Sequence, residues 1–274
     1  PMVLYALVSK ASIGSLFLAG ILPGLIMGLV LMIMNYYMAG KRGFAMEDPI
    51  PLRELPRKTA NAFPALLMPV ILLYGIYGGV TTPTEAAAIA AFYALLLAGL
   101  FYKALSFKAL FNVFVESARS SASVGIVIGG AFILNFIVIS EQIPQSIAML
   151  LDGTDVNPIV FLIVVNLLIL ALGCILDATT IILVIVPLFI PTCEVLGIDL
   201  VHFGVLVVVN SMIGLITPPY GILLFVINAV TDIPLREIIS EIWAFLVILI
   251  VALLIMLLVP DLVLWLPRVF GYQG

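Results

Sequence analysis

Two short interruptions lie inside sequence that is otherwise apolar enough to cross a membrane. Residues 173–180 read GCILDATT, and residues 214–221 read GLITPPYG. Each places helix-breaking or helix-starting residues where a lipid-exposed helix would continue undisturbed. Non-helical backbone persists at membrane depth only where protein or a water-filled cavity covers it, and paired broken segments are the sequence feature that best indicates a transporter's binding site. The pair therefore predicts an internal site between two broken segments.

The composition is that of an integral membrane protein. Hydrophobic residues make up 64% of the chain and charged residues 9%, against about 25% charged residues in soluble domains. No basic stripe interleaved with aromatic residues is present, so the sequence gives no support to nucleic-acid binding. Cys174 and Cys193 are too few for a disulfide framework, and Cys174 is expected to act as a small buried hydrophobic residue. We predict an all-α protein embedded in the lipid bilayer.

Apolar runs of the length that a membrane helix needs, about 20 residues, recur along the chain. The first contains Pro23, which predicts a kink. The predicted helical runs are residues 13–38, 62–77, 86–102, 122–139, 158–176, 178–191, 203–216, 220–230 and 242–259.

Basic residues concentrate in two connections. Residues 40–61 carry five Lys or Arg side chains, and the amphipathic residues 107–119 carry Lys108 and Arg119. The positive-inside rule places both connections in the cytoplasm. Two spans between them return the chain to the same side, so residues 141–157 are predicted to lie outside.

The run at residues 178–191 is short for a full span and contains Pro187. Together with residues 158–176 it predicts a re-entrant hairpin that enters and leaves the membrane on one side. The alternative is two ordinary spans, one of them thin and kinked.

A weak internal repeat accompanies these breaks. Ser12-Ile13 and Asp232-Ile233, offset by 220 residues, each precede a long apolar run and follow a short apolar half-helix. The chain also begins at Pro1 without a basic segment and cleavage site. We therefore expect an internal start, with an equivalent first interruption before Pro1.

Asp177 is the costliest residue of the chain to place in a membrane. Lipid exposure of an Asp at the centre of a span costs about 3 kcal/mol, and an intramembrane ionisable residue is a functional candidate. Its carboxylate could bind a hard cation, which prefers oxygen ligands. Alternatively, Asp177 could only cap a helix by accepting from the amides of Thr179 or Thr180.

The second interruption cannot be a continuous helix. Pro218 and Pro219 remove two amide donors and free carbonyls near Gly214 and Leu215. Gly214 and Gly221 let the backbone approach a ligand closely. Carbonyl ends of half-helices suit Na⁺, whereas amide ends attract an anion. The alternative is a simple proline kink.

Other polar residues are weaker candidates. Asn210 and Ser211 precede the second break and could face the same cavity, although such residues more often bond a neighbouring helix. Asn166 is interpreted as a helix-packing residue. His202, the single histidine, is expected at the surface beside a loop.

Residues 82–85, TPTE, form a predicted helix start. Thr82 at the N-cap, Pro83 at the first helical position and Glu85 at the third make a capping box. The following residues 86–88 are alanines and give a smooth surface for close packing against a scaffold helix or a partner subunit. Thr82 and Glu85 are therefore assigned a structural role.

The sequence contains few residues that could support enzyme catalysis. It shows no Ser-His-Asp constellation, metal-ligand cluster or phosphate loop, and an intramembrane aspartyl protease would need a second Asp beside Asp177. We predict that the chain is not an enzyme.

Several motifs along the chain belong together. They are residues 16–24 (LFLAGILPG), 78–88 (GGVTTPTEAAA), 202–205 (HFGV), 210–219 (NSMIGLITPP) and 265–267 (WLP). They resemble the large membrane subunit of the TRAP (tripartite ATP-independent periplasmic) transporters, including its GxxTPTEAAA and N-x-M-I-G-x-x-T-P-P segments. The resemblance runs from Pro1 to about Gly271 and corresponds to the C-terminal two-thirds of a family member.

The resemblance implies a Na⁺-coupled elevator-type transporter of the bacterial inner (cytoplasmic) membrane, a multi-pass protein with inverted repeats. Each repeat holds a re-entrant hairpin and a broken helix. A small membrane subunit braces the scaffold, and a periplasmic binding protein delivers an organic-acid anion such as sialic acid or a C4-dicarboxylate. The implied layout is the end of a first broken helix (residues 1–11), scaffold (12–142), second hairpin and broken helix (143–231), and C-terminal arm (232–274).

The resemblance and the residues together predict one site at the two interruptions. The predicted Na⁺ ligands are Asp177, Thr180 and backbone carbonyls near Gly173, Gly214 and Thr217. The predicted substrate contacts are Ala178, Thr179, Asn210, Pro219 and Tyr220. The amides of Ala178, Thr179 and Tyr220 would face the substrate carboxylate.

Two alternatives stay open. One is a non-transporting membrane scaffold in which both interruptions act only as kinks. The other is another Na⁺-coupled anion transporter with similar hairpins, against which the TPTEA run argues. Because the first hairpin would precede Pro1, the chain is expected to carry half of the complete site.

Overall fold

The computed structural model describes residues 1–42, 54–77, 80–142 and 157–273, and each regular element within these ranges is a helix. The all-α fold predicted from the sequence is confirmed for this part of the chain. The helices are α1 (Met2–Ser9), α2 (Ile13–Arg42), α3 (Leu55–Tyr77), α4 (Pro83–Leu96, extended by a π-helical turn Leu97–Phe101), α5 (Phe107–Ser140), α6 (Pro158–Gly173), α7 (Ala178–Leu188), α8 (Ile190–Val195), α9 (Leu200–Gly214), α10 (Ile222–Thr231), α11 (Leu235–Leu258) and α12 (Asp261–Val269).

Four of the described helices, α2, α4 with its extension, α5 and α11, are long and apolar enough to cross a membrane, judged by length and composition. In their most apolar windows, between 11% and 33% of the residues are buried. Apolar surface of this extent on a folded chain indicates cover by lipid or another protein. The chain is a multi-pass membrane protein, as its composition predicted.

The amphipathic connection predicted at residues 107–119 is helical and leads into the next apolar run without a break, while its cytoplasmic position stays a prediction. Residues 107–119 and 122–139 belong to one continuous helix, α5. Ser120 and Ser121, which join them, each lower helix propensity by less than about 0.7 kcal/mol and do not stop a helix. The predicted outer connection lies mainly outside the described residues, as does much of the basic connection at residues 40–61.

The chain divides into two compact units, Gly43–Ser123 and Pro1–Arg42 with Val124–Gly274. Within the first of these, α3 and α4 form a helical hairpin. The Tyr93 hydroxyl donates to the Pro64 carbonyl (2.8 Å), and the Thr81 amide donates to the Gly75 carbonyl (3.1 Å). A Cβ on Gly75 would lie 2.7 Å from Thr81 Oγ1, so a larger residue at position 75 would require the Thr81 side chain to move.

α4 begins with both hydrogen bonds of the predicted capping box. The Glu85 amide donates to Thr82 Oγ1 (3.3 Å), and the Thr82 amide donates to Glu85 Oε2 (2.8 Å). Pro83 occupies the first turn, where its missing amide proton costs nothing. Thr82 and Glu85 thus satisfy backbone groups at the end of an apolar helix.

In the unit formed by residues 1–42 and 124–274, α9 is the central helix. It is apolar around its whole circumference, which is the pattern of a buried helix. Four of its apolar side chains have no exposed surface: Phe203, Val205, Leu206 and Val207. α1, α2, α6, α11 and α12 all pack against it.

His202 is buried, with 2% of its surface exposed, so the surface position expected from the sequence is wrong. Its ring Nε2 lies 3.0 Å from the Met256 carbonyl oxygen near the end of α11. Because a carbonyl only accepts, Nε2 carries the proton and donates. His202 therefore connects α11 to the first turn of α9. The sequence does not reveal this role, because the acceptor lies far away along the chain.

α6 and α7 form a hairpin. The ring of Phe161, near the start of α6, packs edge-to-face on the ring of Phe189, directly after α7 (centroids 6.2 Å apart), so the chain returns to the level where it began. The arms, about 24 Å and 16 Å long at 1.5 Å per residue, are shorter than the hydrocarbon core of about 30 Å. This geometry favours the predicted hairpin over two ordinary spans.

A repeated backbone feature relates α1–α2 to α10–α11. Lys10, directly after α1, has φ 58° and ψ 13°, and Asp232, directly after α10, has φ 57° and ψ 13°, so both are left-handed. The next helix begins three residues later in each case, at Ile13 and Leu235. The offset is therefore 222 residues rather than the predicted 220. The proposed division into transport and scaffold segments stays a prediction.

Candidate functional site

The two interruptions predicted from the sequence meet in the structure. α6 ends at Gly173 and α9 ends at Gly214. A Cβ on Gly214 would lie 2.7 Å from the Cα and 2.8 Å from the carbonyl carbon of Gly173. Side chains do not fit at such distances, so glycine at both helix ends is what allows the two backbones to touch.

Two further contacts join the interruptions. The Gly221 amide donates to the Cys174 carbonyl (3.2 Å), and Cys174 Sγ lies 3.7 Å from the Pro218 carbonyl oxygen. Gly221 has a left-handed φ of 40°, and a Cβ there would lie 3.0 Å from the Thr217 carbonyl oxygen. The Pro218–Pro219 peptide is cis. The loop between α9 and α10 is thus folded against the tip of the hairpin.

Asp177 caps α7. Its Oδ2 accepts from the amides of Thr179 (2.9 Å) and Thr180 (3.3 Å), and its Oδ1 accepts from the Thr180 hydroxyl. The hydrogen bonds of the capping interpretation are therefore present, while the cation-site interpretation stays a prediction. The Thr179 amide, predicted to face the substrate, donates to Asp177 in this structure.

The other candidate residues differ in exposure. Ala178 is buried beside the tip, whereas Pro219 and Tyr220 are exposed, with 59% of the Tyr220 surface accessible. Thr217 Oγ1 donates to the Ile213 carbonyl (2.7 Å). A hydroxyl oxygen that donates still has lone pairs, so this bond leaves Thr217 able to coordinate a cation.

Asn210 is fully buried, and its side-chain amide donates to the backbone oxygen (2.6 Å) and Oδ1 (3.0 Å) of Asn166. These bonds join α9 to the first hairpin arm. Asn210 thus makes the helix-bonding contacts and Asn166 has the packing role assigned to it, while substrate contact by Asn210 stays a prediction. Ser211 is buried as well and donates to the Val207 carbonyl within α9 (2.8 Å).

The helix ends give the site its electrostatic character. α6 and α9 bring their C-terminal ends together at Gly173 and Gly214, and each end carries about half a negative elementary charge. α7 begins within the first interruption and α10 directly after the second, so their positive N-terminal ends belong to the same two segments. The arrangement can attract a cation at the paired carbonyl ends and an anion at the amide ends.

Cys174 contributes more than the apolar role predicted for it. It is buried, as expected, and its carbonyl oxygen is also the acceptor that links the hairpin tip to Gly221. The one sequence feature that hinted at this contact was the position of Cys174 directly after a glycine at a helix end. A backbone acceptor has no side-chain signature, so residue-type reasoning could not identify it.

Comparison with known proteins gives a consistent result. Residues 1–262 match the family described as "Tripartite ATP-independent periplasmic transporter, DctM component". The chain is 39% identical over 273 residues to the sialic acid TRAP transporter large permease protein SiaM of Vibrio cholerae, a match that covers 99% of this chain and 64% of the relative.

Two further relatives carry other substrates in their names. The C4-dicarboxylate TRAP transporter large permease protein DctM of Pseudomonas aeruginosa is 40% identical over 98% of this chain and 63% of its own length. The 2,3-diketo-L-gulonate TRAP transporter large permease protein YiaN of Escherichia coli is 31% identical over 96% of this chain and 62% of its own length. The chain thus spans less than two thirds of each of these relatives.

The relatives are named as permeases, which move solutes and are not enzymes, in agreement with the absence of catalytic motifs from the sequence. The family match covers nearly the whole chain and includes both interruptions. The chain belongs to the DctM component family of the tripartite ATP-independent periplasmic transporters.

Proposed function

We propose that this chain carries an ion and substrate site of a Na⁺-coupled permease that imports an organic-acid anion. The observation that supports this most directly is the backbone contact between Gly173 and Gly214, which brings two helix C-terminal ends together. A kink with a purely structural role occurs within a single bent helix, and it does not require the ends of two helices to meet.

Na⁺ is the cation proposed for the paired carbonyl ends. It prefers oxygen ligands, as other hard cations do, and backbone carbonyls at unwound helix ends supply them without a net charge. Gly173, Gly214 and Thr217 would contribute ligands directly. Asp177 and Thr180 would complete the site if the capping bonds rearrange when the ion binds.

The anion is proposed to lie at the amide ends, near the buried Ala178 and the exposed Pro219 and Tyr220. The three relatives are named for sialic acid, a C4-dicarboxylate and 2,3-diketo-L-gulonate, and each of these carries a carboxylate. A carboxylate is the group that helix N-termini favour. The substrate class is therefore an organic-acid anion.

We also propose the partners that the family's organisation implies, a small membrane subunit and a periplasmic binding protein. On α4, Ala86 and Ala90 are buried, whereas Ile89 and Phe92 are 47% and 60% exposed. This exposed face is proposed as the contact for the small subunit. Transport would proceed by elevator movement of the segments that carry the two interruptions.

The proposal is tested on the intact permease that contains this chain, reconstituted in liposomes with its small subunit and supplied with its binding protein. Sialic acid and succinate serve as the two probes. Uptake of one of them is expected to require an inward Na⁺ gradient, and Gly214→Ala is expected to abolish it by separating α6 from α9. Gly28→Ala, on α2, is the control because its Cβ would meet no atom within 4 Å.

A binding measurement separates loss of the site from loss of folding. Na⁺ in place of K⁺ is expected to raise the unfolding temperature of the parent and of Gly28→Ala, through binding to the folded state. Gly214→Ala is expected to fold but to show no Na⁺-dependent shift. Equal uptake in Na⁺ and K⁺ would refute ion coupling, and unimpaired uptake by Gly214→Ala would refute the position of the site.

A further inference from the structure

The short helix α12 has two apolar faces. Val263, Leu264 and Pro267 are buried, and they pack this helix onto α2 and α9. On the other side, Trp265 is 58% exposed and Val269 is 62% exposed. The first apolar face is covered by the protein core. The second is not covered by the protein and would need lipid or another molecule to shield it from water.

The outward face is a continuous stripe. Leu262, Trp265, Leu266 and Val269 follow the spacing i, i+3, i+4 and i+7 of one helix side. The charged residues Asp261 and Arg268 lie together on one edge between the two apolar faces, where they form an exposed ion pair (2.6 Å). The helix therefore has an apolar face packed on the core, a charged edge exposed to solvent, and an apolar face directed outward.

α12 lies across the end of α11 and does not continue it. Met256, near the end of α11, accepts from His202, while Tyr272, after α12, donates to Asp199 Oδ2 (3.1 Å). Asp199 and His202 are separated by about 4.5 Å of rise on α9, whereas a straight continuation from residue 256 to residue 272 would cover about 24 Å. Val259 and Pro260 provide the bend, because Val259 leaves the helical conformation (φ −123°, ψ 80°).

The outward face follows directly on an exposed apolar surface of α11. On the last turns of α11, one of the helices long enough to span a membrane, the exposed apolar residues are Val251, Leu254, Ile255 and Leu258, with 41–55% of their surface accessible. The stripe on α12 begins directly after this surface. The bend therefore lies where a membrane-spanning segment ends, which is the level of the lipid headgroups.

We propose that α12 is an interfacial anchor that lies in the headgroup region of the bilayer, with Trp265 and Val269 inserted toward the acyl chains. The occupant is lipid rather than protein, because the apolar stripe is continuous with the lipid-facing side of α11 and the ion pair forms its polar edge. Tryptophan favours this depth, since its ring is apolar and its N–H bonds to headgroups or water. Insertion of such a face is about 5–10 Å deep.

The leaflet that holds α12 can be inferred from the positions of the basic end of α2 and the start of α11. Lys41 and Arg42 end α2, and Arg42 pairs with Glu241 near the start of α11 (2.6 Å). The positive-inside rule places this basic end in the cytoplasm. α12 follows the other end of α11, so the anchor occupies the outer leaflet.

The test measures the depth of Trp265 in the intact permease in lipid nanodiscs. The difference between the fluorescence of the parent and of Trp265→Phe isolates this residue from Trp243 and from tryptophans elsewhere. We expect stronger quenching by a phosphatidylcholine with a nitroxide near the headgroup than by one labelled at mid-chain, and little quenching by aqueous iodide. Strong iodide quenching, or no quenching by either lipid, would overturn the proposal, since the face would then contact water or protein.

Two adjacent positions provide a matched second measurement. A nitroxide spin label at Val269→Cys is expected to collide more with oxygen dissolved in the lipid, and one at Arg268→Cys more with a water-soluble nickel complex. The labelled parent gives the background from Cys174 and Cys193, both of which are buried. Equal water accessibility at both positions, or strong immobilisation of the label at residue 269, would contradict lipid insertion.

Discussion

The ring of Tyr5 occupies the space that a side chain at residue 204 would need. A Cβ on Gly204 would lie 2.3 Å from Tyr5 Cε1. The Tyr5 hydroxyl also donates to the Leu200 carbonyl (2.6 Å), and its ring packs edge-to-face on Phe203 (centroids 6.4 Å apart). Residues 202–204 (HFG) therefore hold two other helices against α9. His202 bonds to α11, and Phe203 and Gly204 pack against Tyr5 of α1.

Gly204→Ala is expected to destabilise the protein by about 1–3 kcal/mol, the usual cost of overpacking a filled core. The matched control is Gly28→Ala in α2, whose added methyl meets open space and should be neutral or slightly stabilising because alanine favours helix. Thermal unfolding of the purified permease in detergent measures both. A Gly204→Ala protein as stable as the control would show that Tyr5 moves aside without cost.

The bond between Asn210 and Asn166 predicts unequal effects for its two partners. Asn210→Ala leaves Asn166 Oδ1 buried without this donor, which costs about 1–3 kcal/mol. Asn166→Ala is expected to cost less, because the Asn210 amide keeps the backbone oxygen of residue 166 as an acceptor. Unfolding of the two single variants and the double variant measures the coupling. Additive effects would show that the pair does not act as a unit.

The capping box of α4 predicts a local loss of protection. Thr82→Ala removes the acceptor of the Glu85 amide and should cost about 1 kcal/mol, whereas Thr82→Ser keeps the acceptor and should cost little. Hydrogen exchange at the first turn of α4 is the measurement, because the effect is confined to that turn. Unchanged exchange at residue 85 in Thr82→Ala would contradict the role of the cap.

Much of this fold could be predicted because its signals are local. The apolar runs, the capping box at Thr82 and Glu85, and the glycines and prolines at the two breaks act on the backbone within a few residues, and such effects can be read from one sequence. The hairpin shape of α6 and α7 followed from the short second run. These features needed no knowledge of which helices are neighbours.

The errors concern relationships between distant residues. His202 is buried because Met256, far along the chain, supplies its acceptor. The repeat offset was misjudged because the repeated feature is a left-handed backbone at Lys10 and Asp232, and a lysine does not indicate that conformation. The role of Cys174 depends on its backbone oxygen. None of these has a side-chain pattern along the sequence.

Asp177 gives the sharpest test of the candidate site, because its two proposed roles respond differently to two substitutions. Asparagine is as good an N-cap as aspartate, so Asp177→Asn should keep the amide bonds of Thr179 and Thr180 and the unfolding temperature, while it loses the charge. Asp177→Ala removes both the cap and the charge and should cost about 0.5–2 kcal/mol of stability.

If Asp177 binds the coupling ion, Asp177→Asn loses the Na⁺-dependent rise in unfolding temperature and the Na⁺-driven uptake, although it remains as stable as the parent in K⁺. We expect this result, because a carboxylate at membrane depth is costlier than the asparagine that would cap α7 equally well. Undiminished Na⁺ dependence in Asp177→Asn, with a loss of stability in Asp177→Ala, would leave Asp177 with the capping role alone. The ion would then be held by the carbonyl ends at Gly173 and Gly214.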